Sequence, residues 1–342
     1  MAPSLTGDVI RLAHGSGGRA AHELLHEVIF PILGPDASAG LDAAILDLTV
    51  PGGCQLALTT DGFVVQPLEF PGGDIGKLAV CGTINDLAVM GARPAVLALG
   101  LIIEEGFPIR TLEKILISLA EEAGRNNVTV VAGDTKVVRK GEADRIFVTT
   151  TGVGIRDEKW KTHPRRIAKD DRILVSGTLG EHGAAILSAR ESFGLEGELT
   201  SDCAALWPLI EQLEVMADAI HFMRDPTRGG VAAVLHEAIH NSPFGVELVE
   251  SQLPIRQEVS MFAEILGIDP LYLACEGRVL LVVEEKGTSD ILERMKRNPL
   301  GKNAAEVGLI TAVEPAKIVL RNPYGTRRFI ENLAEDQLPR IC

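Results

Sequence analysis

The sequence predicts an α+β protein built from two layered domains. Three observations carry this. The chain has 342 residues, about two domains at roughly 150 residues each. Strand-like and helix-like segments alternate through both halves, as helices packed on sheets require. A polar stretch over 157–171, partly basic and broken by Pro164, separates the halves and sets the boundary.

The elements follow in chain order. A helix is expected over 20–30, opened by His14-Gly15-Ser16-Gly17-Gly18-Arg19. Residues 55–60 are a short apolar strand meeting a turn at Thr60-Asp61-Gly62. Over 74–90, Ile75, Leu78, Ala79, Leu87 and Met90 recur at helical spacing, with Asp74 as N-cap and Gly91 as stop. Residues 95–103 are β-like, and 111–123 form a helix closed by Gly124. A buried strand over 128–132 runs into Gly133-Asp134, and 145–155, rich in Val and Thr, is another. Beyond the seam, a strand over 172–176 leads through Gly177-Thr178-Leu179-Gly180 into a helix from about residue 184. Gly229-Gly230 opens a helix over 231–240, and 278–284 is a strongly apolar strand.

Composition excludes several functions. Acidic residues outnumber basic ones, 47 to 33, for a net charge of −14. No basic run offers a footprint for duplex nucleic acid, and with 4% aromatic residues there is no stacking surface for single strands. Cys54, Cys81, Cys203, Cys275 and Cys342 show no CxxC spacing. That argues against a disulfide framework or zinc ribbon and fits a reducing, cytoplasmic compartment. No uncharged apolar run reaches the roughly 18 residues of a membrane-spanning helix, and residues 1–11 lack a signal-peptide pattern.

Several clusters have the residue types of a reactive site. Gly15, Ser16, Gly17 and Gly18 before a helix suit a phosphate, or form an ordinary flexible loop. Asp42, Asp61, Asp86, Asp134 and Asp225 stand at element ends or inside an apolar helix. Carboxylates converging on one cleft would suit magnesium, whereas Asp42, Asp61 and Asp225 also read as ordinary caps or turn formers. Asn85-Asp86 is the less ordinary pair, because a buried polar group left unpartnered costs about 1–3 kcal/mol. It calls for a partner, a metal or a backbone N–H. Lys136, in Gly133-Asp134-Thr135-Lys136, would neutralise a transferring phosphoryl group or sit in a surface ion pair. Glu276, before an apolar strand, is a general base or a turn carboxylate. Cys342 at the chain end is a mobile thiol or an accident of the terminus. His236-Glu237-Ala238-Ile239-His240 matches a zinc-protease pattern, but no third ligand follows and Pro243 ends the helix, so the match is read as fortuitous.

Taken in order, these pieces resemble an ATP-dependent family. It contains aminoimidazole ribonucleotide synthetase, selenophosphate synthetase, thiamine-monophosphate kinase and the hydrogenase maturation protein HypE. The resemblance rests on His14-Gly15-Ser16-Gly17-Gly18, Thr60-Asp61-Gly62, the stretch from Phe70-Pro71-Gly72-Gly73-Asp74 through Lys77-Leu78 to Asn85-Asp86, Gly133-Asp134-Thr135-Lys136, and Arg224-Asp225-Pro226-Thr227-Arg228-Gly229-Gly230. The ending Leu338-Pro339-Arg340-Ile341-Cys342 resembles the HypE branch alone.

The resemblance implies an ATP-binding half over 4–157, a second half over 169–320 and a mobile tail over 321–342. It also implies a homodimer in which two N-terminal sheets pair into a barrel. ATP and Mg2+ would be held by Gly15, Ser16, Gly17, Gly18, Asp61, Lys77, Asn85, Asp134, Thr135, Arg228, Gly229 and Gly230, with Asp42, Asp61, Asp86, Asp134 and Asp225 as the metal set. Cys342 would carry a carbamoyl group received from the carbamoyltransferase HypF. Lys136 and Glu276 would help dehydrate it to a thiocyanate, whose cyanide passes to iron on a HypC–HypD complex. The tail arginines, Arg321, Arg327, Arg328 and Arg340, would help the arm approach ATP. Two other readings use the same residues: a small-molecule ATP enzyme of this fold, and a non-enzymatic scaffold with the tail thiol as a metal ligand.

Overall fold

The structure is a computed structural model and describes residues 18–24, 44–46, 52–190, 199–333 and 341–342. The first domain runs α1 (Arg19–Leu24), β1 (Ala44–Leu46), β2 (Gln55–Phe63), β3 (Glu69–Phe70), β4 (Gly73–Asp74), α2 (Ile75–Val89), β5 (Ala92–Glu104), α3 (Ile109–Arg125), β6 (Thr129–Val138) and β7 (Ile146–Arg156). Five strands form one sheet in the order β1-β2-β7-β5-β6, with only β5 and β6 parallel. Strand β2 alternates: Ala57, Thr59 and Phe63 point inward, while Leu58, Thr60 and Gly62 face out. This is the period-2 pattern of a half-covered sheet. Helices α2 and α3 cover the inner face, α3 through the apolar stripe Ile115, Leu119 and Ala123.

Helix α2 has the start and stop that its sequence predicts. Asp74 Oδ1 accepts from the N–H groups of Gly76 (2.7 Å) and Lys77 (3.0 Å). Gly91 takes φ +70°, and a Cβ there would lie 2.2 Å from the ring of Trp160, so the stop is also a packing requirement. Trp160 is buried in the seam between the halves.

The second domain runs β8 (Arg172–Val175), α4 (Glu181–Arg190), α5 (Trp207–Glu211), β9 (Ile220–Arg224), α6 (Gly230–Ala238), β10 (Gly245–Val249), α7 (Gln257–Leu266), β11 (Leu280–Val283), α8 (Thr288–Lys296), β12 (Ala305–Thr311), β13 (Ile318–Arg321) and β14 (Arg327–Ile330). Its seven strands are ordered β14-β13-β10-β12-β8-β11-β9. Both faces are covered. Ile173, Val175, Leu280 and Val282 pack with Val231 and Leu235 of α6, while Leu174, Leu281 and Val283 pack with Ile291 and Met295 of α8. Burial on both sides explains why β11 is apolar at every position.

The apolar core is continuous across the seam. Ile75, Leu78 and Cys81 of α2 share a cluster with Ala184, Ala185, Cys203 and Phe262 of the second domain.

The structure corrects several expectations. Asp61-Gly62 is not a turn but part of β2, and Gly133-Asp134-Thr135-Lys136 lies inside β6 rather than past a strand end. Helix α3 passes through Gly124 and ends at Arg125, and Asn127 supplies the left-handed residue (φ 55°). The segment from 321 does not start a free arm. Strand β14 pairs antiparallel with β13. Arg321 (3.0 Å) and Arg327 (3.8 Å) bind Glu247, and Arg328 binds Asp269. These three arginines therefore anchor the second sheet instead of serving a moving tail. Asp42, Gly15, Ser16, Gly17 and Arg340 lie outside the described residues.

Candidate functional site

The expected site residues fall into three neighbourhoods. The first is the joint between the domains, centred on α2 and on the loops before β11 and after β9. Asn85 is fully buried. Its Nδ2 donates to the carbonyls of Ala204 (3.1 Å) and Glu276 (3.2 Å), and its Oδ1 accepts from the Leu206 N–H (2.8 Å). The polar residue inside an apolar helix thus has the partner it needed, and that partner is backbone of the other domain. Asp86, one residue on, accepts from the Thr59 hydroxyl at 2.6 Å. Lys77 Nζ donates to the Gly72 carbonyl (2.9 Å).

Glu276 sits across from Asn85 and is 1% exposed. Its Oε1 has no hydrogen-bond partner among the described residues. Burial pushes its carboxyl well above the usual range, and the charges of Cys203, Asp225, Asp202 and Asp61 push the same way. Its backbone is held by Asp202, whose carboxylate accepts from the N–H groups of Glu276 (3.1 Å) and Gly277 (3.3 Å). Burial raises Asp202 too, with the Arg278 guanidinium opposing it. Arg278 in turn meets Glu181 at 2.6 Å. Asp225 is buried, and the Cys275 N–H donates to the carbonyl of Pro226 beside it (2.9 Å). Asp61 is raised by burial, against the charge of Arg228 and the Gly62 N–H at 2.7 Å. Carboxylates of both domains, with Arg228 facing them, therefore line this joint. Gly229 (φ 75°) and Gly230 (φ 60°) open α6, and a Cβ on Gly230 would lie 2.5 Å from the Leu271 carbonyl oxygen.

The second neighbourhood is the uncovered face of the first sheet. Asp134 and Lys136 alternate on edge strand β6 and meet at 3.1 Å, their side chains 69% and 68% exposed. Asp134 stands in register with Gly100 of β5, which faces Thr149 and then Gly62. Asp61 is one step along β2 and points to the helix-covered face, as do Thr59 and Phe63. Asp61 and Asp134 thus lie on opposite faces, and among the described residues no three His, Cys, Asp or Glu side chains gather to hold a metal ion. Thr135 shares this strand.

The third neighbourhood is the seat of the chain end. Ile341 is 2% exposed and joins the core cluster that spans the domains, with Cys342 packed against it. His182 Nε2 lies 2.6 Å from the Ile341 carbonyl, and the Val64 N–H lies 3.4 Å from an oxygen of Cys342. The residues of the His236–His240 match contact protein groups. His236 Nε2 meets the Ile330 carbonyl at 2.9 Å, Glu237 pairs with Arg224 at 3.0 Å, and the His240 ring stacks edge-on to His22.

Sequence reasoning did not single out His182, Ser201, Asp202, Arg278 or Thr59. No local signal marks His182, whose partner is 159 positions away. Asp202 and Arg278 offered one: charged residues flanking apolar runs need a counter-charge when buried.

Two models of the AIR synthase related family match, the N-terminal domain over residues 40–156 and the C-terminal domain over 168–321. The carbamoyl dehydratase HypE of Escherichia coli K12 is 44% identical, over 97% of this chain and 99% of its own. A solved HypE–HypF complex is similar at a TM-score of 0.85 and 43% identity, over 91% of this chain and 99% of that one. A HypE structure in complex with ATP aligns at 0.81 and 38%, over 98% and 100%. With two AIR synthase related domains meeting at a carboxylate-lined joint and a terminal cysteine seated beside it, the chain belongs to the HypE carbamoyl dehydratase family.

Proposed function

We propose that the chain carries a carbamoyl group on its own C-terminal thiol and dehydrates it with ATP to a thiocyanate, the cyanide donor for iron in nickel–iron hydrogenase maturation. The observation that carries this reading is the seating of Ile341 and Cys342 in the core between the domains. A carrier that only presented its thiol to partners would have no use for such a seat.

The carbamoyl group reaches the Cys342 sulfur from HypF, the partner in a relative's solved complex. The thiocarbamate oxygen takes the γ-phosphoryl group of ATP and leaves as phosphate, while the nitrogen gives up two protons. The products are S–C≡N, ADP and phosphate, so the oxygen lost from carbon ends in phosphate and no free water forms. Glu276 takes one nitrogen proton and the departing phosphate takes the other. Burial favours the neutral carboxyl of Glu276 and makes the minor carboxylate form that accepts the proton a strong base, and its Oε1 has no hydrogen-bond partner among the described residues. Lys136, with Asp134, balances charge on the transferring group.

The residues fit a magnesium–ATP complex in kind. Magnesium takes one or two carboxylates and fills its shell with phosphate and water, so Asp61, Asp86, Asp134 and Asp225 are a sufficient pool without three converging in one chain. Gly15, Ser16, Gly17 and Gly18 before α1, Gly229 and Gly230 at α6, and Lys77, Thr135 and Arg228 remain our phosphate-side assignments. Asp42 completes the metal set. Two copies pair through the open face of the first sheet, where Leu58 and Ile102 are exposed. Pairing would cover these apolar groups and bring Asp134 and Lys136 into an interface. The cyanide then passes to iron held by HypC–HypD.

The test is mass spectrometry of the C-terminal peptide after incubation with a carbamoyl donor system and ATP. A carbamoyl adduct followed by loss of one water's mass supports the reading, and Cys342→Ala should show neither. A wild-type Cys342 that never carries the group would sink it.

A further inference from the structure

We infer that His182, set by Ser201, is the receptor for the C-terminal dipeptide: a positioning residue that recognises the Ile341 carbonyl and thereby seats Cys342 at the domain joint. The inference deepens the dehydratase reading, and rests on it only for what the seated thiol is for.

With a neutral imidazole the hydrogen bonds allow one arrangement. A carbonyl oxygen only accepts, so His182 Nε2, 2.6 Å from the Ile341 oxygen, must carry the proton. Nδ1 is then an acceptor, and the Ser201 hydroxyl at 2.7 Å must donate to it. The Ser201 oxygen accepts in turn from the Cys203 N–H at 3.1 Å. The chain of donors thus runs one way, from the Cys203 amide through Ser201 and the imidazole to the tail. Ser201 is itself fixed. Its N–H donates to the Pro71 carbonyl (2.8 Å), and a Cβ on Gly72 would lie 2.7 Å from its carbonyl oxygen. The imidazole is fully buried and stands edge-on to Phe70, with centroids 5.4 Å apart. Burial drives the imidazole toward its neutral form, the form this arrangement needs.

The receptor has two further contacts. Ile341 fills the apolar cluster, and the Val64 nitrogen lies 3.4 Å from the main-chain oxygen of Cys342. Two main-chain oxygens and an apolar side chain are thus read together, a peptide-recognition site in kind. His182 and Ser201 come from the second domain and Val64 from the first, so the tail docks only when both halves are in place.

The experiment reads docking without turnover. In the full-length protein, the rate of Cys342 alkylation by iodoacetamide is followed by mass spectrometry of the C-terminal peptide, with Cys54 as internal control. His182→Ala should raise the Cys342 rate about tenfold, the ratio given by ~1.4 kcal/mol of lost docking free energy. His182→Gln, which keeps a donor, should fall between Ala and wild type, and Cys54 should not change. A second measurement needs no core substitution: in the wild-type background, removing Ile341 and Cys342 should shift the His182 ring-nitrogen resonances. Unchanged Cys342 alkylation in a folded His182→Ala protein, or unmoved resonances on truncation, would overturn the assignment. A wild-type protein that shields Cys342 yet forms no thiocyanate would sink the dehydratase reading and leave the receptor standing.

Discussion

The two sheets face their surroundings differently. The second is covered on both faces, and its central strand β11 carries Leu280, Leu281, Val282 and Val283, all fully buried. The first is covered on one face only and exposes Leu58, Ile102, Asp134 and Lys136 on or beside the other. The closed sheet is scaffold: it holds Glu276, Asp202 and His182 where burial changes their chemistry. The open sheet offers its functional groups to whatever comes against it. Joining them is α2, apolar almost all round because it is sheet cover for one domain and interface for the other.

The contrast has measurable consequences. Leu281→Ala should destabilise most, by about 2–5 kcal/mol, because it opens a cavity inside a double-sided core; chemical denaturation measures it, and a cost below ~1 kcal/mol would mean that the second sheet is not closed. Asn85→Ala should cost on the order of 3 kcal/mol, since two carbonyls and one N–H lose their partner in a buried joint. Calorimetry should then resolve two transitions where wild type shows one, and an unchanged single transition would show that the domains are joined by apolar contact alone.

Glu276→Gln should abolish dehydration yet stabilise the fold by on the order of 1 kcal/mol, as removal of a strained functional group does. The sign follows from its raised carboxyl. Above about pH 4.5 the unfolded chain has lost a proton that the folded chain retains, so folding is weakened as pH rises toward the folded value. The melting-temperature gap between variant and wild type should therefore widen from pH 5 to pH 8. A constant gap would mean that Glu276 is charged in the folded protein throughout. The smallest stability effect belongs to the open face. Ile102→Ala should change monomer stability by no more than ~0.5 kcal/mol while weakening self-association. Sedimentation showing a wild-type monomer at micromolar concentration would remove the paired-sheet proposal.

Local signals were legible in the sequence, and distant ones were not. The Asp74 cap and the Gly91 stop were readable because their main causes lie within a few residues. The apolar run of β11 announced its burial. Asn85 announced that it needed a partner, but that partner, 119 and 191 positions away, could not be named. Gly133 and Gly62 suggested strand ends, yet both strands run on through their glycines, because flanking strands supply the hydrogen bonds that propensity does not. The tail arginines read as a mobile charged arm because Glu247 and Asp269, which hold three of them, lie more than fifty residues away. Asp61 and Asp134 were grouped in the sequence as carboxylates of one cleft, but the fold set them on opposite faces of one sheet.

The seam has an optical consequence. The chain has 2 tryptophans, and both stand at the meeting of the halves: Trp160 under Gly91, and Trp207 packed against two of the core clusters. The Trp160 indole N–H has no hydrogen-bond partner among the described residues. Its emission should therefore be that of a dry ring, blue-shifted and sensitive to the first water that enters. Intrinsic fluorescence of this protein is a built-in gauge of the hinge line, requiring no label and silent about either sheet alone.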